Sequence, residues 1–173
     1  RLFYQRLFAV NAFGFIFFLL SFRFGGHVSV QSLSVQFALA VHFTMFALWI
    51  GALYPLLTIS RTEQVAELKV SLERFSKHAV LIVSLLLLSG LALMLSLIHS
   101  AADLFTTTYG IALILKILLV IGLVAIAAVN KYIIVPQLLL QTATAQFQRS
   151  VRLEIVVAIL LLLLTAYLST ALG

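Results

Sequence analysis

His42 and Met45 stand three residues apart inside a long apolar run, Val41 to Pro55, which reads Val-His-Phe-Thr-Met-Phe-Ala-Leu-Trp-Ile-Gly-Ala-Leu-Tyr-Pro. At helical spacing the two share a face, and Trp49, seven residues past His42, falls on nearly the same stripe. An ionisable side chain at membrane depth costs about 2.5 kcal/mol or more, so it faces a bundle interior or a cavity. A neutral imidazole beside a thioether is a donor set for a soft cation, Cu(I) in preference to Cu(II). The same spacing also suits a hydrogen-bonded histidine beside a packing methionine.

Further residues along the chain could extend that chemistry. His27, Met94 and His99 are soft or imidazole donors that join His42 and Met45 in one set. His78, Asn130 and Glu154 form a second, harder set. A soft cation entering past the first set would leave past the second, with Trp49 and Lys116 on the path. Each residue has a plainer reading. Met94 suits core filling, and His27 and His99 suit wet loops. Asn130 suits a hydrogen bond across helices, and Glu154 suits a helix-end contact with Lys131, Arg149 or His78. Lys116 opposes a bound cation, because like charges repel strongly at low dielectric. Catalysis has no motif behind it: there is no His-Glu-x-x-His, no Gly-rich phosphate loop and no Ser-His-Asp order. A haem on His42 is the alternative cofactor, since histidines on membrane helices are haem ligands.

The elements that must position these residues follow from composition. Of 173 residues, 64% are hydrophobic and 9% charged, and mean hydropathy is +1.21. No soluble domain of this size hides that much apolar surface, so the chain reads as an all-α integral membrane bundle in a lipid bilayer. Long apolar runs without strand alternation mean helices, not a barrel. There is no cysteine, hence no disulfide or thiolate site. The net charge of +6 belongs to loops and does not indicate nucleic acid. The first residue is Arg1, so the chain is expected to be a processed product or part of something longer. Oligomeric state is not legible.

A span needs about 20 apolar residues. Five stretches qualify: about Leu7–Phe22, Leu33–Leu57, Phe75–Ile98, Tyr109–Val135 and Val151–Leu172. Pro136 closes the fourth, and Pro55 falls near the end of the second. Between the second and third, Val65, Leu68, Leu72 and Phe75 repeat at helical spacing, and Glu73 can pair with Lys77. That predicts an interfacial helix turn or an extension of the third span. Residues Gln137–Gln148 are glutamine- and threonine-rich and read as a loop. With five spans, Arg1, Arg6, Arg61, Lys69, Arg74, Lys77, Lys131, Arg149 and Arg152 share one side and only Arg23 takes the other. That bias predicts a cytoplasmic N-terminus and an outer C-terminus. It sets His42 about 13 Å deep from the outer face at the helical rise. A single domain over 1–173 is the simplest organisation.

Taken in order, several pieces resemble the CopD domain of bacterial copper-resistance and copper-import membrane proteins. They are His42 with Trp49, Gly51 and Pro55-Leu-Leu; then Arg74-Phe75-Ser76 opening a helix that holds Ser89-Gly90; then Thr108-Tyr109-Gly110 with Lys116. Asn130 and Pro136 follow, and finally Arg149-Ser150-Val151 with Glu154. The resemblance runs from about Leu39 to Leu172, with 1–38 as an additional span and outer loop. It implies a multi-pass protein of the bacterial inner membrane that moves or delivers copper, with a periplasmic CopC-type copper-binding partner. Of the metal-ligand candidates, His42 is the one carried over most securely from it. Family members often have about eight spans, so ligands on further helices are missing here. Small membrane proteins of the HemJ type also place a histidine before a Trp and a Gly. They are linked to haem and protoporphyrinogen oxidation, and are the runner-up resemblance. A sensor or assembly subunit that binds metal without moving it is a third reading.

Overall fold

The computed structural model describes residues 32–97, 102–139 and 143–171. The first expected span, Leu7–Phe22, lies outside them, as do His27 and His99.

Apolar runs become helices because each backbone amide finds its partner one turn back, the arrangement lipid demands. Helix α1 is Leu33–Thr62, α2 is Val65–Leu97, α3 is the single turn Asp103–Thr106, α4 is Thr108–Val129 and α5 is Ala143–Ala171. No strand occurs among the described residues. Among the described residues, four helices are long and apolar enough to cross a membrane: α1, α2, α5 and α4 with its continuation to Gln137. That accounts for four of the five expected spans.

Helices α1 and α2 are longer than a bilayer needs. With 30 and 33 residues, α1 and α2 are about 45 and 50 Å long, against a hydrocarbon core of about 30 Å. The charged residues of both gather toward their shared end, where only Glu63 and Gln64 separate them. The Val65 repeat is therefore a continuous extension of the third span. Leu68 and Leu72 are 0% and 3% exposed, so this first stretch is anchored by burial. The ion pair on its surface runs back, from Glu73 to Lys69 at 4.0 Å. Pro55 does not stop α1, which continues to Thr62.

The last helix begins at Ala143, well before the expected Val151. From Ala143 on, the glutamine- and threonine-rich stretch is helical because Ala143, Phe147, Val151 and Ala158 form a buried row at four- and seven-residue spacing. Helix α4 starts with Thr107, whose hydroxyl accepts the Gly110 amide at 2.9 Å. Past Val129 the chain widens into a π-helical segment, Asn130–Ile134, and tightens into a 3-10 turn at Val135–Gln137, where Pro136 ends it.

The helices alternate in direction. Helix α1 packs on α2 and α5, and α5 on α4, while α2 meets the fourth span chiefly at the 3-10 turn. The buried apolar residues concentrate toward the α1–α2 turn, from Trp49, Leu53, Leu56 and Leu57 across to Leu138, Phe147 and Val151. Every described Lys and Arg except Lys116 lies toward this same end: Arg61, Lys69, Arg74, Lys77, Lys131, Arg149 and Arg152. A hydrogen bond from Gln148 Nε2 to the Ser60 carbonyl, 2.9 Å, ties α5 to α1 there.

Candidate functional site

Most hydroxyls in the spans are satisfied on their own helix. Thr44, Ser60, Ser89, Ser96 and Thr165 each donate to a carbonyl three or four residues earlier. Apart from the Gln148–Ser60 bond, the side-chain hydrogen bonds across helices form two places.

The first is built around His42. Its Nδ1 lies 3.1 Å from the Leu86 carbonyl of α2 and 3.3 Å from Ser89 Oγ. A carbonyl only accepts, so Nδ1 carries the ring proton. Ser89 has already given its own hydrogen to the Leu85 and Leu86 carbonyls, at 2.7 and 3.0 Å. In the neutral form the ring then presents Nε2 as a bare lone pair. A histidine whose other nitrogen donates to a backbone carbonyl is the usual posture of a metal ligand.

Gly90 makes that posture possible. A Cβ placed there would stand 3.0 Å from His42 Cε1 and 3.3 Å from Nδ1. The missing side chain leaves room for the imidazole to reach the carbonyl one turn earlier. Met45 is half-buried one turn along α1 and packs against the apolar cluster. Met94 is half-buried one turn beyond Gly90 on the same face of α2. Lys116 of α4 is within electrostatic reach of His42 and makes no ion pair among the described residues. No group of three or more His, Asp or Glu converges among the described residues.

The second place is a cavity of about 210 Å³ between α2 and the fourth span, with α1 and α5 as its floor. Trp49, Asn130 and Glu154 line it, and they are 5%, 7% and 3% exposed. Asn130 Nδ2 donates to Glu154 Oε1, while Asn130 Oδ1 is buried without a partner among the described residues. Lys131 lies on the rim with its ammonium 5.1 Å from the centre of the Tyr132 ring.

The expected inner set is thus joined in part. Asn130 and Glu154 are bonded to each other, and Trp49 lines their cavity, linking it along α1 to His42. His78 stays apart: it is exposed and bonds the Arg74 carbonyl of its own helix at 3.0 Å. Among the described residues, Glu154 makes no hydrogen bond or ion pair with His78 or with a cation; its partner is the amide. Ser89 and Gly90 entered the sequence reading as pieces of a resemblance, not as the seat of His42. A Ser-Gly pair inside an apolar span was the available signal, since it marks a place where another helix approaches closely.

Four membrane-length helices among the described residues define a multi-pass membrane protein. Comparison with known families is specific: the family described as Copper resistance protein D, CopD, matches residues 69–168, more than half of the chain. The chain belongs to the CopD family. No curated protein and no solved structure matches it. The matched segment takes in Ser89, Gly90, Met94, Lys116, Asn130 and Glu154 and leaves α1 outside, so it is shorter than the expected Leu39–Leu172. His42 belongs to the site through its contacts with a matched helix.

Proposed function

We propose that this protein carries copper across the bacterial inner membrane, with Cu(I) as its cargo and His42 Nε2 as the central donor. The observation that carries this reading is the Nδ1 bond to the Leu86 carbonyl, which leaves Nε2 free in a membrane-depth site of a copper-resistance family member. Met45 and Met94, one turn to either side along the facing helices, supply thioethers for stepwise ligand exchange, with His27 and His99 as outer collecting donors. The basic end faces the cytoplasm, following the bias of Lys and Arg to that side. Copper then travels from the His42 level toward the cavity below Trp49 and leaves past Asn130 and Glu154. A CopC-type protein would deliver it at the outer face.

The test is a Cu(I) competition titration on purified protein, wild type beside His42→Ala, with visible spectra of the same samples. Affinity falling at least tenfold in the variant, about 1.4 kcal/mol, supports the reading. Absence of copper binding, with a Soret band that disappears along with His42, overturns it in favour of haem. Copper uptake into vesicles separates a carrier from a sensor or assembly subunit that only binds.

A further inference from the structure

We propose that Glu154 is a proton-binding site, held as the neutral acid in a cyclic pair with Asn130 and exchanging its proton toward the basic end of the bundle. The two side chains meet on adjacent helices, and Asn130 Nδ2 donates to Glu154 Oε1. The other amide atom, Oδ1, is buried and has no donor among the described residues. An ionised carboxylate has no hydrogen to offer it; a carboxylic acid has one. With the proton on Oε2, the acid donates to Oδ1 while its Oε1 accepts from Nδ2. Each group then gives and takes one hydrogen bond, and the orphan is satisfied. Interchanging the amide nitrogen and oxygen leads to the same demand. Oδ1 would then face Oε1, and two acceptors hold together only with a proton between them.

No neighbouring charge takes the proton's place. Helices α1 and α2 bring no ionisable side chain to the cavity wall. The fourth span brings Lys131 and Tyr132, but the ammonium is stationed over the tyrosine ring and forms no ion pair with Glu154. On α5 itself, Arg149 and Arg152 are exposed. The cavity shares Ser76, Lys131, Tyr132 and Val135 with an adjoining hollow of about 290 Å³, which carries Glu73 and Lys77 at the charged end. That hollow is the route by which Glu154 would exchange its proton with water.

The occupancy of Glu154 stands independently of copper. Its use rests on the copper reading: a monovalent cation moving past the cavity is balanced by one proton released from Glu154, so the interior gains no net charge.

Infrared difference spectroscopy of the purified protein in lipid tests the first part. Wild type should show a carboxylic-acid carbonyl band at neutral pH that is absent in Glu154→Gln, an isostere that keeps both hydrogen bonds and hence the fold. In Asn130→Ala the band should persist but move to higher frequency, because the carbonyl has lost its amide donor. No acid band, or a band unmoved by Asn130→Ala, overturns the proposal. Vesicle uptake tests the second part: raising the pH on the basic side of the bundle, where Glu154 gives up its proton, should stimulate copper uptake by wild type several-fold and leave Glu154→Gln unaffected. Equal stimulation of both overturns the coupling. Wild-type vesicles that move no copper sink the copper reading, and the infrared result still decides the proton site.

Discussion

Replacing Gly90 by alanine pits two effects of similar size against each other. The new Cβ stands 3.0 Å from His42 Cε1, whereas carbon atoms settle at about 3.5–4.0 Å. The ring must retreat by about 0.5–1 Å. Its Nδ1–Leu86 bond, now 3.1 Å, stretches past hydrogen-bonding range. Losing that bond costs about 0.5–1.5 kcal/mol net. Alanine in a helix interior returns about 0.8–1.0 kcal/mol relative to glycine. The two nearly cancel, so Gly90→Ala should melt close to wild type. Copper affinity has no such compensation. A ligand histidine that loses its orienting partner forfeits about 10–100-fold in metal affinity. The assay is Cu(I) competition beside thermal unfolding in the same detergent. Gly51→Ala and Gly122→Ala are the controls: a Cβ at either meets nothing within 4 Å, so both should gain stability and bind copper as wild type does. Gly90→Ala protein with wild-type copper affinity would refute the orienting role assigned to the Leu86 carbonyl.

Other perturbations have smaller or different signatures. Ser89→Ala removes only the longer 3.3 Å contact to His42; copper affinity should fall less than in Gly90→Ala, measured in the same titration. Gln148→Ala severs the 2.9 Å bond to the Ser60 carbonyl and should cost about 0.5–1.5 kcal/mol. Hydrogen exchange should quicken at the end of α1 and leave the His42 level untouched. Trp49, 5% exposed, fills the space between the two polar places. Trp49→Ala should cost about 3–5 kcal/mol, read as a large fall in melting temperature, and Trp49→Phe should cost less.

The spans were legible because burial in lipid writes itself as uninterrupted apolar runs, and Pro136 marked a stop that the backbone obeys. Helix starts were less so. Polarity made Gln137–Gln148 read as loop, yet Ala143 and Phe147 needed only two well-placed apolar positions to join the core. At the site, His42 announced itself by its cost at membrane depth. Its partner could not, because a backbone carbonyl is the same at every position, and Leu86 carries no sign of being the one used. The Asn130–Glu154 pair joins residues 24 positions apart, and only the packing of α4 on α5 picked it from the contacts open to Glu154. His78 shows the converse. An imidazole in the right part of the sequence took the outer side of its helix, where its own backbone satisfied it.

The π-helical segment at Asn130–Ile134 has a consequence for how this end of the chain tolerates change. There the Val135 amide reaches back to the Asn130 carbonyl, five residues away, so the segment accommodates roughly one residue more than an α-turn would. Removing one residue within it would restore a regular α-helix and leave the chain on both sides in phase, because the wide turn already absorbs the extra residue. The same deletion one turn earlier, within α4, would swing everything after it by about 100° around the axis. Asn130, Lys131 and Val135 would then leave the cavity wall. The wide turn thus lets this span lose a residue without turning its last turn away from α2.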